Sequence, residues 1–331
     1  MIKEWDARRS EVTEPFTTAY LGGGTPSILD TDLLTVLVNS VLPDNIVEFT
    51  IEVNPEDVTA DKCRAWRGLS INRVSMGVQS FIDSELSDIG RRHTADQAIE
   101  SYRRLRDAGF DNISLDLIYG LPGQTLESWR SSVDTLMGLA PEHFSAYSLT
   151  FEPGTRLTAR LSVGKIQETD DEVIEQMYTY LCDAARRAGY DHYEISNFAH
   201  PGRRSRHNSA YWEFTPYVGL GPGAHSFDGH TRRFNPSNNK TYIQRIETNG
   251  VAYDIDPESD RDRLNDLIFV ALRRREGLEL SRITNNNIRH RILAVAKRLT
   301  NRGVIVDNDR ISISEPALLV SDSLIAQLLI D

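Results

Sequence analysis

The chain has two cysteines among its 331 residues, Cys63 and Cys182, far apart and in no close-spaced pair. Two thiols exclude a disulfide framework and a local thiolate cluster, and they agree with a reducing compartment. Both read as small apolar groups packed on helices. No apolar run approaches the roughly 18 residues that a membrane-spanning helix needs. The opening MIKEWDARRSE lacks the apolar centre of a secretory signal. Positive charge is also in deficit, with Lys+Arg 37 against Asp+Glu 48 and a net charge of -11. Such a balance gives no general field for capturing DNA or RNA, so nucleic acid is not an expected partner. Repeats and low-complexity tracts are missing as well. What remains is a chain long enough for one large α/β domain, or a domain with an appendage, expected in the cytoplasm.

What is present is a recurring unit of β-branched run, polar or Gly/Pro break and helix-period segment. Strands are expected over 17–21, 46–51, 72–78, 112–118, 144–149 and 192–195. Helices are expected over 30–41, 59–67, 95–108, 126–139 and 170–188, with Gly109 and Gly189 each closing one as a C′ glycine. Repeated βα units imply a parallel sheet covered by helices, either open and doubly wound or closed into a barrel. Polar residues gather at the C-terminal ends of these strands: Glu52 and Asn54, Gln79 and Ser80, Asp116 and Tyr119, Glu194 and Asn197. In a βα barrel those ends share one mouth, although each such residue also suits a helix cap or a turn. Residues 1–199 therefore form a first unit. Residues 200–257, rich in Gly, Pro, His and aromatics, form an irregular segment packed on it. Residues 258–331 form a helical unit with a short β pair over 304–306 and 310–313, of winged-helix type, suited to packing or partner contact.

The glycine run in Tyr20-Leu21-Gly22-Gly23-Gly24-Thr25-Pro26-Ser27 follows the first strand. It has neither the lysine of GxxxxGK[ST] nor the spacing of GxGxxG, so phosphate and dinucleotide sites are poorly supported. A tight βα turn and main-chain contact with a small polar ligand both remain open. Glu52 in TIEVNPE offers a carboxylate for an amine or a ribose hydroxyl. Gln79 in GVQSF offers an amide, and Arg91 in GRRH a guanidinium fork for a carboxylate. Asp116 in SLDLIYG, flanked by leucines, needs a donor or serves a site. Together these groups suit a zwitterionic, hydroxyl-bearing ligand, and they contain no nucleophile and base pair. Of the 8 histidines, His207 in SRHNSAYW and His225 in GLGPGAHSF lie in the Gly/Pro-rich segment, where either is a satisfied structural histidine or an iron or metal ligand.

The strings GGGTPS, EVNPE, GVQSF with GRRH, DLIYGLPGQT, YEISNFAHPG, RHNSAYW and GLGPGAHSF closely resemble the oxygen-independent coproporphyrinogen III oxidase-like branch of the radical SAM superfamily, and within it the haem chaperone subgroup. The likeness runs from about residue 17 to the C-terminus. It implies a partial (β/α)6 barrel with a C-terminal domain, in a metal-binding, iron-sulfur protein that holds a [4Fe-4S] cluster and S-adenosylmethionine (SAM). It further implies Gly23, Gly24 and Thr25 against the methionyl part of SAM, and Glu52, Gln79, Arg91 and Asp116 in the rest of that pocket. His207, in HNxxYW, becomes the candidate haem ligand, and Tyr211 and Trp212 flat contacts to a porphyrin or simply core. Implied partners are haem, a haem-acceptor protein and an electron donor.

One part of the family pattern has no counterpart. The cluster of the family is held by a CxxxCxxC loop after the first strand, and residues 1–14 resemble the helix that follows that loop. The expected fold is thus a barrel lacking its first strand and cluster loop, with no cluster in the chain as it stands. Three readings follow: a haem chaperone seen in N-terminally shortened form, an oxygen-independent coproporphyrinogen III oxidase similarly shortened, or a cluster-free haem- or partner-binding protein.

Overall fold

A computed structural model of the chain describes residues 1–12, 15–43 and 45–330. The elements run in the order α1 (Ile2–Arg8), β1 (Thr18–Leu21), α2 (Thr31–Val41), β2 (Glu48–Val53), α3 (Ala60–Gly68), β3 (Arg73–Gln79), α4 (Asp83–Asp88), α5 (Ala95–Asp107), β4 (Ile113–Tyr119), α6 (Leu126–Leu139), β5 (His143–Ser148), α7 (Arg156–Ser162), α8 (Asp171–Arg187), β6 (Asp191–Glu194), β7 (Asn197–Ala199) and α9 (Arg206–Trp212). They continue with β8 (His225–Phe227), β9 (Arg232–Phe234), α10 (Asn239–Asn249), β10 (Asp254–Asp256), α11 (Asp260–Leu272), β11 (Leu278–Glu279), α12 (Asn286–Arg298), β12 (Val304–Asp307), β13 (Arg310–Ile313) and α13 (Ser321–Ala326).

The main sheet has seven strands in the order β1-β2-β3-β4-β5-β7-β6. β1 to β5 pair in parallel, each with its successor, as the expected βα repeat requires. The far edge departs from a regular repeat. β6 turns straight into β7, and β7 pairs antiparallel with β5. The run over 192–195 therefore supplies the outer arm of a hairpin, because only two residues separate it from β7 and a parallel return needs a crossover of a dozen or more. The result is an open, curled half-barrel sheet, with β1 as one edge strand.

Local chemistry explains the helices. Thr94 and Thr125 each close a capping box, with Gln97 and Ser128 as the reciprocal partners, and Thr59 caps α3 at Lys62 N. Gly109 and Gly189 follow their helices with positive φ, as C′ glycines do. Alternate strand residues enter the apolar core beneath these helices: Phe49, Ile51 and Val53 of β2, Val74, Met76 and Val78 of β3, Ile113, Leu115 and Leu117 of β4. The other face of the same strands is polar, and it carries the candidate site.

The Gly/Pro-rich segment is more ordered than its composition suggests. It contains α9, the three-stranded antiparallel sheet β10-β9-β8, and α10. Glu4 of α1, fully buried, ties that segment down. Its carboxylate accepts from Arg8 Nη1 (3.2 Å), Asn235 Nδ2 (2.7 Å), Gly221 N (2.9 Å) and Tyr242 Oη (2.6 Å). Arg8 in turn donates to Gly219 O (3.1 Å) and Ser226 Oγ (3.0 Å). The C-terminal region has a three-stranded sheet, β11-β13-β12, with α11, α12 and α13. Truncating one member of a satisfied buried charge network strands its partner, at a cost of about 3–5 kcal/mol. Glu4→Ala is expected to lower unfolding stability by about that much, measured by urea denaturation followed by circular dichroism.

Candidate functional site

The polar face of the sheet is built from the residues that alternate with the core positions. β2 contributes Glu48, Thr50 and Glu52; β3 contributes Arg73, Ser75 and Gly77; β4 contributes Ser114 and Asp116; β5 contributes His143 and Ser145. Hydrogen bonds run between neighbouring strands across this face. Ser75 Oγ donates to Asp116 Oδ2 (3.1 Å), Ser145 Oγ to Asn197 Oδ1 (2.7 Å), and Ser114 Oγ meets His143 Nδ1 (2.8 Å).

At the top of β1 and β2, Glu52 joins the strand to the glycine loop. Its carboxylate accepts from Tyr20 Oη (2.7 Å) and from the backbone N–H of Gly23 (3.1 Å). Gly22 is sterically required: a Cβ there would stand 2.6 Å from Tyr20 and 3.0 Å from Glu52 Oε1. Gly23 and Gly24 face open space, leaving their backbone accessible. Thr25 and Gln79 both adopt positive φ (68° and 69°), which costs a non-glycine residue of order 1–3 kcal/mol and concentrates at ligand sites. Gln79 is buried at the end of β3, where a register shift separates it from Gly77. Its amide lies over Gly77, where a Cβ would meet Nε2 at 2.7 Å. Arg91 donates to Asn54 Oδ1 (3.2 Å), and its pKa is lowered by burial. Asp116 has a raised pKa, first because it is desolvated, an effect opposed by serine hydroxyls and Arg73.

The geometry links several of these residues directly, Gly23 with Glu52 and Arg91 with Asn54, and adds His207 to the same neighbourhood through Tyr20. The imidazole of His207 stacks on the Tyr20 ring (4.8 Å between centroids, 19° between planes). Nδ1 lies 2.9 Å from Thr18 Oγ1 and Nε2 lies 3.0 Å from Tyr211 Oη. With the proton on Nδ1 donated to Thr18 Oγ1, the Nε2 lone pair accepts from the tyrosine hydroxyl, the one partner a ligand there would have to displace. Burial, and secondarily the charge of Arg73, pull the His207 pKa down to about 4. His225 is exposed on β8 and shares none of these contacts. His93 and His143 are buried structural groups, bonded to Val78 O and Tyr193 Oη.

Tyr211 has a second role. Its ring packs edge-on against Tyr217 (4.6 Å) and lines a recess of about 390 Å³ with Trp212, Phe214, Phe227 and Arg232. Sequence reasoning placed Asn54 among the polar strand-end residues and Tyr20 in the run that leads into the glycines, but singled out neither Thr18 nor Arg73. Alternation is the signal for Arg73, which shares the face of β3 that carries Ser75 and Gly77.

The iron-sulfur and metal-binding part of the family resemblance does not carry over to this chain. Its two cysteines sit apart on α3 and α8, both buried, and burial pushes the Cys63 thiol up to about 11 and the Cys182 thiol up to about 12. Protonated, separated thiols cannot act as the three thiolates that a [4Fe-4S] cluster takes from its loop. Among the described residues, the side chains close enough to share an ion are Cys182, His192 and Glu315, a different donor set. Within it, His192 Nδ1 and Arg186 both bond Glu315, which clips the C-terminal region to α8 and β6.

With the half-barrel and its polar face described, the class follows. Residues 8–136 match the Radical SAM superfamily, and the chain belongs to that superfamily. The relatives it matches are more particular: it is 36% identical over 301 residues to a protein named heme chaperone HemW from Bacillus subtilis, covering 88% of this chain and 79% of the relative. A Mycobacterium tuberculosis protein of the same name is 31% identical over 323 residues, with 94% and 80% covered. Among solved structures, that of coproporphyrinogen III oxidase from Escherichia coli superposes with a TM-score of 0.83 at 22% identity, covering 99% of this chain and 81% of that one. That likeness establishes a shared fold. Among the described residues, no helix is long and apolar enough to cross a membrane.

A neutral His207 is expected throughout the physiological range. Followed by NMR in the free protein, its ring resonances should titrate near pH 4 and stay flat from pH 8 to about 5.5. Because the folded pKa lies below the unfolded value, the unfolded chain binds the extra proton, so this group removes stability as pH falls from about 6.5 toward 4. A midpoint near 6.5 would show an exposed, unconstrained imidazole.

Proposed function

We propose that the chain binds haem through His207 Nε2 and passes it to an acceptor protein. The observation that carries the reading is a neutral imidazole whose Nδ1 is oriented by Thr18 and whose Nε2 is held by nothing stronger than one exposed tyrosine hydroxyl. A metal-binding histidine is commonly fixed in this way, by a hydrogen bond on the nitrogen that does not bind the metal. The names of the HemW relatives support the cargo. The aromatic recess lined by Tyr211, whose hydroxyl meets Nε2, supplies flat apolar walls. The C-terminal region, taken as a winged-helix-type module, is the proposed contact for the acceptor. The oxidase reading rests on the fold alone and is set aside.

The neighbouring groups also suit SAM. Glu52 would receive its amine, Arg91 its carboxylate, and Gly23, Gly24, Thr25, Gln79 and Asp116 would line the remainder. The donor set suits a zwitterion, with a carboxylate in Glu52 and a guanidinium in Arg91, which bonds Asn54 just beyond the end of β2, and the open glycine backbone lets a ligand approach. Reductive SAM chemistry takes its electron from an iron-sulfur cluster.

Titration with haem tests the reading. Wild type is expected to give a shifted Soret band that His207→Ala abolishes; an identical band in the variant would remove His207 as ligand. Tyr211→Phe deletes a hydrogen bond that competes with iron. It is expected to tighten haem binding by about fivefold, the equivalent of a bond worth about 1 kcal/mol, read from the same titration.

A further inference from the structure

Three buried side-chain atoms without a hydrogen-bond partner fall in one row across the polar face of the sheet. They are Thr50 Oγ1, Arg73 Nε and Asn112 Oδ1, three of the eight such atoms among the described residues. Thr50 and Arg73 are register partners on β2 and β3. Asn112 stands one residue before Ile113, the register partner of Val74 that follows Arg73. Thr50 is 0% exposed and Arg73 1%. Arg73 Nε is buried without a hydrogen-bond partner. A buried cation with an unmade hydrogen bond is costly to keep, and the attraction between Arg73 and Asp116 offsets that cost without satisfying the donor.

We propose that this row is a binding site for a small carboxylate, of the size of formate or acetate, held by the Arg73 fork and the Thr50 hydroxyl. A guanidinium and a planar carboxylate match in a bidentate pair. Thr50 adds a donor from the adjacent strand. The Asn112 amide adds a third once it is turned over, an assignment its hydrogen bonds alone decide. The small size follows from the burial of both principal residues. Nearby carboxylates do not fill the role: Glu48 is engaged by backbone N–H groups of α9, Glu52 by Tyr20 and Gly23, and Asp116 by Ser75. Asp116, Tyr20, His143, Tyr193 and His207 all lie within the electrostatic reach of Arg73.

The probe is sodium formate, added to the whole chain at constant ionic strength and followed by calorimetric titration and by the thermal unfolding midpoint. Wild type is expected to show a saturable heat and a rising midpoint. Arg73→Met should lose both. Arg73→Lys, which keeps the charge without the fork, and Thr50→Val should each weaken formate by about tenfold. Circular dichroism establishes that each variant is folded, and removing a buried cation with an unmade hydrogen bond is not expected to unfold the chain. Equal formate binding in Arg73→Met, a full response retained by Arg73→Lys, or a crystal structure grown in formate with ordered water alone against Arg73 would each overturn the proposal.

Discussion

A buried carboxylate on the second strand holds the candidate site together. Glu48, 4% exposed, accepts the backbone N–H groups of Arg206 (3.1 Å) and His207 (2.9 Å) at the start of α9. Those are orphan donors of a helix N-terminus, and a carboxylate is the partner that both their geometry and the helix dipole favour. The register partner of Glu48 is Thr18, which meets His207 Nδ1. Two adjacent strands thus grip one histidine, one by its backbone and one by its ring. The ring's stack on Tyr20, and Tyr20's bond to Glu52, follow from that placement.

This arrangement makes the sheet edge useful. An edge strand ordinarily exposes a row of unpaired backbone groups. Here α9 lies against β1, and the histidine it delivers stands beside the same tyrosine that braces the glycine loop. The His207 imidazole and the Glu52 carboxylate, the two groups proposed to meet ligands, both contact the one Tyr20 ring. Nothing in the sequence forces this closeness; it arises because a segment nearly two hundred residues downstream is pinned to the first strands of the sheet.

Much of the framework was legible in the sequence. The first five strands, their parallel pairing and α2, α3, α5 and α6 between them followed from period and punctuation, and so did the glycines after α5 and α8, whereas the short α4 did not. The hairpin at the far edge was not, because β7 is three residues long and carries too little pattern to separate from a turn. Glu52, Gln79 and Asp116 were singled out by residue type at strand ends, and Arg91 by the guanidinium that GRRH offers. Arg73 escaped because an arginine at the start of a strand reads as a surface residue, and only the alternation with Val74 and Met76 puts it on the inner face. The iron-sulfur expectation came from resemblance, and the count and burial of two cysteines correct it. His207 was singled out by resemblance, while its stack and its hydroxyl partners needed coordinates.

The central claim is that Glu48 positions His207 as a ligand, and hydrogen exchange on Glu48→Ala together with its haem affinity tests it most directly. In wild type the Arg206 and His207 amides should be protected, and haem should bind. In the variant, with the rest of the sheet still protected, those two amides should exchange at least tenfold faster and haem affinity should fall with them. Unchanged haem affinity despite free exchange of both amides would contradict the account, because the histidine would then bind without the helix start that is argued to aim it.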